Sequence, residues 1–351
     1  MNALGIGIVG CGGAAIDVAG AVGTIRGLSV AGVHDLERGL ADDLAHATGA
    51  RVHDSLASLL ADERIDIVYV ALPHNLLAPT ARASLLAGRH VLVEKPMAVT
   101  VEAIDDLAAI ARSRQLTLGV FYEMRFAPAA VSARRLVRDG AIGRVTTIRI
   151  RTLIDKPPDY WRAGLTGRSM SPWRGQMARA GGGVVLMNTS HQLDLVASIT
   201  RLRVTSVMGV SGTFTPGIDV EDAAAAAFRF SNGAIGSLTA GAHVAGAIDD
   251  ETLEIDGSLG RLRLNPYSGR LALYLRRAWR GRPPDRWLQL EMDWSNPFVP
   301  ALTSFAAAVR TAAQPVAGAP EARAVLAIVH AIYRSAAEGR SVQPLERGLE
   351  G

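Results

Sequence analysis

Through residue 120, short β-branched runs alternate with stretches whose apolar positions recur at helical spacing. LGIGIVG, LSVAGVHD, IDIVYVAL, HVLVEK and LTLGVFY read as strands buried on both faces. Between them, residues 15–26, 36–48, 76–87 and 101–114 carry helical periodicity. This βαβα alternation predicts a parallel, doubly wound sheet with right-handed crossovers.

After Pro128 the pattern changes. A helix over residues 129–139 leads into the strand VTTIRIRTL, and an irregular stretch rich in Pro, Gly, Trp and Arg fills residues 155–183. One helix is expected over 184–199. Then come VTSVMGVSGT, AAAAAFRFS, GAIGSLTAGA, ETLEIDG, GRLRLNP and RLALYLR, with turn signals at Ser231-Asn232-Gly233 and Asp256-Gly257-Ser258. Consecutive strands with tight turns predict an α+β domain with a large, mostly antiparallel open sheet, one face covered by the helix at 184. Two helices close the chain, over 300–312 and 320–338. The expected division is residues 1–123 and 124–351, with the helices at 300–338 packing back toward the first domain.

Composition removes several classes. In 351 residues no stretch approaches the roughly 20 uninterrupted apolar positions that span a bilayer. MNALGIGIVG lacks a basic leader and cleavage site and reads directly as a first strand, so a cytoplasmic protein is expected. Cys11 is the only cysteine, which excludes an internal disulfide and any zinc site built from several cysteines. The net charge of +4 is small, and the basic residues are scattered, which argues against nucleic acid as a partner. Of 37 basic residues only Lys95 and Lys156 are lysines.

Gly10-Cys11-Gly12-Gly13-Ala14-Ala15 stands where the first strand gives way to the first helix and fits G-x-G-x-x-A, the Rossmann fingerprint. The first glycine permits the tight turn and the second lets the backbone approach a pyrophosphate. A small third residue lets helix and strand pack closely. Asp35 ends the second strand 20 positions beyond Ala15, a spacing that suits a carboxylate on the adenine ribose. Such a carboxylate would repel a 2′-phosphate, so NAD is expected over NADP, with Arg38 as the residue that softens the preference. Asp35 also suits an N-cap for the next helix. Cys11 reads as a small buried filler.

Two further groups have a chemical use. Glu94-Lys95-Pro96 ends the fourth strand of the first domain, at the carboxyl edge where open α/β sheets bind ligands. A lysine there can hold a carbinol oxygen, and Pro96 suggests a shaped turn that a cis peptide would suit. In AGGGVVLMNTSHQLDLV, three glycines open a helix on which Asn188, His191 and Asp194 recur along one side. A histidine of near-neutral pKa can take a hydroxyl proton as hydride leaves the same carbon. The competing reading of His191 is a packed core residue, and that of Lys95 is a surface pair with Glu94.

These pieces resemble the Gfo/Idh/MocA family, oxidoreductases related to glucose–fructose oxidoreductase and inositol dehydrogenase. The resemblance rests on GIVGCGGAA, on ALPHNLLAPTARASLLAGRHVLVEKPMA through residue 98, and on YEMRFAP at 122–128. SPWRGQMARAGGG through Gly183, His191 with Asp194, and AIYRSAAEGRSV at 331–342 complete it. It implies a Rossmann domain and an open-sheet domain with the active site between them, His191 as general acid/base and Lys95 orienting the substrate oxygen. It also implies a homodimer or homotetramer through the sheet's outer face. Leu72, Pro73, His74, Asn75 and Glu94 are assigned with Lys95 to cofactor contacts.

Two departures stand out. Many members carry Asp four residues before this histidine, where this chain has Met187. Asn188 is therefore assigned to substrate hydrogen bonding, and Asp194 is the candidate carboxylate for tuning His191. Where many members have a second histidine, four positions after Pro73, this chain has Leu77. The irregular stretch offers Lys156, Tyr160, Trp161, Arg162, Arg168, Trp173 and Arg174. It suits either an intersubunit arm or the substrate end of the cleft, and Tyr160, Trp161, Arg162, Trp173 and Arg174 are assigned to substrate. Arginines here would suit a carboxylated substrate.

The expected activity is reversible hydride transfer between nicotinamide and a secondary alcohol of a sugar, cyclitol or related polyol. Alternatives are oxidation of an aromatic cis-dihydrodiol or carboxylated lactol, NAD-dependent glycoside cleavage, and a non-catalytic NAD-sensing regulator. Retention of both Lys95 and His191 argues against the regulator, which needs neither.

Overall fold

The computed structural model describes residues 3–157, 159–164, 166–168, 170–248, 250–292 and 295–344. Met1, Asn2 and residues 345–351, at the two ends of the expected domains, lie outside the described residues. Two compact units emerge. The first comprises residues 1–122, 159–181 and 298–324, and the second residues 123–158, 182–297 and 325–351.

The first unit opens with β1 (Leu4–Val9), α1 (Gly13–Val22), β2 (Leu28–His34), α2 (Arg38–Thr48), β3 (Arg51–Val52) and α3 (Leu56–Leu60). It continues with β4 (Ile67–Val70), α4 (His74–Leu86), β5 (His90–Val93), α5 (Val101–Ser113) and β6 (Leu118–Val120). All six strands are parallel, in the order β3-β2-β1-β4-β5-β6. The order reverses between β1 and β4, the switch point where such sheets take their ligands. The central strands β1 and β4 are buried at every position but Leu4, as apolar runs require when helices cover both faces.

The second unit begins with a 3₁₀ turn at Glu123–Phe126, then α6 (Pro128–Arg138) and β7 (Val145–Leu153). The chain next contributes α7 (Tyr160–Ala163), a 3₁₀ turn at Pro172–Gly175 and α8 (Met177–Ala180) to the first unit. Back in the second unit, a π-helical turn at Val185–Thr189 runs into α9 (Ser190–Thr200). There follow β8 (Val204–Gly212), β9 (Ala223–Phe230), β10 (Ile235–Gly241), β11 (Glu251–Gly257), β12 (Gly260–Asn265), β13 (Arg270–Leu275) and β14 (Trp287–Leu290). The eight-stranded sheet runs β14-β13-β12-β11-β7-β10-β9-β8, antiparallel except for the β7–β10 pair. Helices α6 and α9 pack on each other and cover one face, which is why β7 and β9 alternate buried and exposed positions. The chain ends with α10 (Phe298–Thr311) and α11 (Ala319–Glu338).

The change of unit falls at residues 122–123; residues 298–324 join the first unit through α10 on α1, and residues 159–181 return to it, with α8 packing on α4. Two further expectations are corrected. The helix over 184–199 is not uniform: its first turn is π-helical, which breaks the even i, i+3, i+6 spacing assumed for Asn188, His191 and Asp194. Strands β3 and β14 and helix α3 were not anticipated, being too short or too polar to give a periodic signal.

Candidate functional site

In the first unit the glycine loop follows the fingerprint. Gly10 holds φ +90°, and a Cβ there would lie 2.2 Å from the carbonyl oxygen of Ala71 at the end of β4, so only glycine fits the turn. Leu72 packs over the same glycine, and Ala15 is buried against the sheet. Gly12 caps α1, and a side chain there would meet nothing within 4 Å. Open space beside a helix N-terminus fits a pyrophosphate.

The Asp35 carboxylate spans this loop. Its Oδ2 accepts the Cys11 N–H at 2.7 Å and its Oδ1 the Glu37 N–H at 2.8 Å. Each oxygen keeps a lone pair for a ribose hydroxyl. Asp35 therefore ties the glycine loop to the turn before α2; the N-cap of that helix is Glu37, so the expected capping role of Asp35 is corrected. Arg38 is exposed and paired with Asp42 and Asp54. Burial pushes the Cys11 thiol up to about 12, so the cysteine is an inert filler.

Pro73 and His74 open α4. His74 is buried, its Nδ1 lies 2.7 Å from the Ala180 carbonyl, and its ring packs on Trp173 at 4.7 Å. Burial, with help from Lys95 and Arg174, pulls its pKa down to about 3 and keeps the ring neutral. Beside it, the buried Oδ1 of Asn75 has no hydrogen-bond partner among the described residues. A buried orphan amide in the cofactor loop fits a bound dinucleotide. Leu77 is fully buried core.

Lys95 is half-buried and joined to Pro96 by a cis peptide. The Glu94 carboxylate is occupied by the Tyr69 hydroxyl and the Lys95 backbone N–H, and burial raises its pKa against the opposing pull of Lys95. Glu94 therefore shapes the turn that carries Lys95.

Residues 159–181 complete this half. Arg174 lies over the rings of Trp173 at 4.6 Å and Tyr160 at 5.6 Å, bonds to the Tyr160 hydroxyl, and has no acidic partner among the described residues. Burial holds its guanidinium below the usual range, against the opposing pull of the Tyr160 hydroxyl. Tyr160 and Trp161 are buried edge to face, while Arg162 is exposed. Thr166 and Arg168 reach the glycine loop itself. A Cβ on Gly13 would meet Thr166 Cγ2 at 3.1 Å, and Arg168 Nε donates to the Cys11 carbonyl at 3.2 Å. Arg168 also pairs with Asp43 on α2 at 3.2 Å. The exposed Ala14 lies on the first turn of α1.

In the second unit, Gly183 passes so close to Glu221 that a Cβ would overlap the latter's carbonyl oxygen at 1.7 Å. The Glu221 carboxylate accepts the N–H groups of Gly183 (2.6 Å) and Val185 (3.0 Å) and the Tyr333 hydroxyl (2.8 Å). This cap fixes the π turn that delivers His191 to the first turn of α9. Asn188 is half-buried within the π turn, and Met187 is buried and apolar.

Asp194 does not tune His191. Arg125 grips it through Nε–Oδ2 and Nη2–Oδ1, both 2.7 Å, with the two side chains 7% and 1% exposed. Both oxygens being taken in a buried bidentate pair, the assignment of Asp194 to substrate is also withdrawn. The carboxylate beside His191 is Glu123, with Oε1 3.9 Å from Nδ1 and both side chains buried. Tyr267 stands edge-on to the ring at 6.4 Å. Lys156 is a buried residue of this unit, its backbone N–H bonded to the Ala242 carbonyl.

Glu123, Arg125, Tyr267 and Glu221 were missed as site residues. The signal for the first two was present: two charges in the apolar stretch GVFYEMRFA belong inside only if each has a partner. Tyr267 and Glu221 gave none, since both lie in loops far along the chain from His191.

Among the described residues no helix is long and apolar enough to cross a membrane, and no cluster of metal-ligating side chains occurs. Residues 4–122 match the family model described as an oxidoreductase family with an NAD-binding Rossmann fold. Residues 130–263 match that of the GFO/IDH/MocA C-terminal domain. A 1,5-anhydro-D-fructose reductase of Ensifer adhaerens is 28% identical over 319 residues, 89% of each chain. A 1-carboxy-3-chloro-3,4-dihydroxycyclohexa-1,5-diene dehydrogenase of Comamonas testosteroni is 33% identical over 190 residues, 54% of this chain and 45% of that protein. The fold matches a levoglucosan dehydrogenase solved with NADH at a TM-score of 0.88 and 23% identity, over 99% of this chain and all of that one. The chain belongs to the Gfo/Idh/MocA family of oxidoreductases, with residues 4–122 forming that family's NAD-binding Rossmann fold.

Proposed function

We propose that the chain catalyses reversible, NAD-dependent oxidation of a secondary alcohol on a sugar, cyclitol or related polyol. The observation that carries this reading is the pair of groups that dinucleotide binding does not need. One is a half-buried lysine on a shaped turn at the carboxyl edge of the parallel sheet; the other is a buried histidine delivered by a capped π turn. Bound nicotinamide supplies the hydride acceptor. Lys95 donates hydrogen bonds to the carbinol oxygen and stabilises its alkoxide character as hydride departs. His191 takes the hydroxyl proton and returns it in the reverse direction.

The cofactor would be held by the loop at Gly10, Gly12, Gly13 and Ala14, by Asp35 on the adenine ribose and by Asn75. Thr166 and Arg168 are added here, because both border the glycine loop. The carboxylate of Asp35 favours NAD, and comparing Michaelis constants for NAD and NADP tests that preference. Asn188 remains assigned to substrate hydrogen bonding, with Tyr160, Trp161, Arg162 and Trp173 toward the substrate end. A second reading, a substrate bearing a carboxylate, is favoured by Arg174, whose guanidinium has no acidic partner among the described residues.

A second copy of the chain is proposed to cover the sheet's outer face, where Met208 and Val210 on β8 and Ile235 on β10 are exposed at 47%, 65% and 55%. Val210→Asp should shift the mass measured by light scattering if so. The expected compartment is the cytoplasm, which holds a nicotinamide pool. An NADH-fluorescence screen against polyols, sugars, uronates and carboxylated cis-dihydrodiols tests the activity. Turnover confined to neutral polyols removes the carboxylate reading, and none on any alcohol, with NAD bound, removes the enzymatic one.

A further inference from the structure

We infer that Glu123 is the positioning carboxylate of His191 and sets the pH at which that ring takes up its proton. The inference rests on the proposed role of His191 as the acid/base group. Four observations from the second unit carry it. Met187, one turn before the histidine, is buried and apolar and offers no charge. Asp194, one turn after it, has both oxygens committed to Arg125. Glu123 Oε1 lies 3.9 Å from His191 Nδ1, with both side chains at or below 10% exposure. The 3₁₀ turn bearing Glu123 and the helix bearing His191 pack directly against each other.

At 3.9 Å the contact is an ion-pair separation rather than a hydrogen bond, so it acts through charge. A carboxylate this close favours the protonated ring and the tautomer with its proton on Nδ1, which leaves Nε2 to exchange the substrate proton. The other groups facing this corner reinforce the assignment. Tyr267 stands edge-on to the ring, and burial with the nearby charges of Glu251 and Glu123 keeps its phenol protonated. Arg125 is neutralised by Asp194, and Arg134 binds the Arg125 carbonyl. Glu123 carries its charge 3.9 Å from the ring on this side. Arg125 and Glu123 sit two residues apart on one turn, so a single short segment locks one carboxylate away from the histidine and presents another to it.

The test is a histidine NMR titration of the isotope-labelled full chain with NAD bound, the His191 signal identified by its loss in His191→Gln. Glu123→Gln should lower the His191 pKa by about one unit or more, and Glu123→Asp should fall between Gln and wild type. An unchanged pKa in folded Glu123→Gln overturns the inference. If the Gln variant does not fold, Glu123→Asp decides alone: a pKa equal to wild type, with the shortened side chain, overturns it. The titration needs no turnover, so it stands apart from the activity reading. Once a substrate is known, the acidic limb of kcat/KM for alcohol oxidation should move to lower pH in Glu123→Gln. The neutral base would then persist to lower pH.

Discussion

The cofactor loop and the histidine corner are built by opposite means. Around Gly12 the working parts are backbone: a turn only Gly10 can make, a helix N-terminus, and open space, with one carboxylate bridging two N–H groups. Around His191 they are side chains from far along the chain, with Glu123 and Arg125 from one turn, Glu221 from a loop and Tyr333 from the last helix. A backbone site is a local motif and survives as spelling. A side-chain site is a set of appointments between distant residues and leaves little local trace.

That contrast can be broken at either end. The largest effect is expected at the histidine and its lysine counterpart. His191→Ala and Lys95→Ala should each cut turnover by about 10²- to 10⁴-fold, while NAD affinity, read by energy transfer from tryptophan to NADH, stays within roughly twofold. Wild-type turnover in either variant removes that residue from the mechanism. Next comes Asp194→Asn, which strands the buried Arg125 guanidinium and should lower stability in denaturant unfolding by about 3–5 kcal/mol. A small loss would mean that the pair is solvated and the corner less rigid than its geometry states.

At the cofactor end the same logic inverts. Gly12→Val should weaken NAD binding on the order of 100-fold with little change in Tm, because the added side chain enters only the space a pyrophosphate needs. Arg168→Ala should weaken it by roughly tenfold, since it removes a side wall and not the floor. An unchanged NAD affinity there returns Arg168 to a structural role on α2.

The smallest effect is one of pH. His74 keeps a pKa of about 3 when folded against 6.5 for the free ring, so the unfolded chain binds more protons between those values. Its contribution to stability is complete above 6.5 and is lost as pH falls toward 3. His74→Gln should flatten that part of a Tm-against-pH curve, and an unaltered slope would show that the ring is solvated.

Legibility followed the same divide. The parallel sheet, the glycine turn and the special turn at Lys95 were readable because periodicity and glycine spacing act over a few residues. The π turn was not, since an apolar run with period 3.6 does not announce one extra residue, and its cap is Glu221, more than thirty positions away. Asp194 was misread for a related reason. Helical spacing places a residue near His191 but cannot tell that an arginine 69 positions earlier in the chain has claimed it. The same applies to Trp173 and Arg174, whose packing on His74 and Tyr160 depends on the chain returning to the first unit.

The near-absence of lysine has a practical consequence. With Lys156 buried and Lys95 half-buried, the chain presents almost no side-chain amine to a reagent. An acylating or reductively alkylating probe would therefore find one principal internal target, at the carboxyl edge of the parallel sheet. Mass spectrometry of the modified peptide could then follow occupancy of that position, with and without nicotinamide, against an otherwise silent background of arginine.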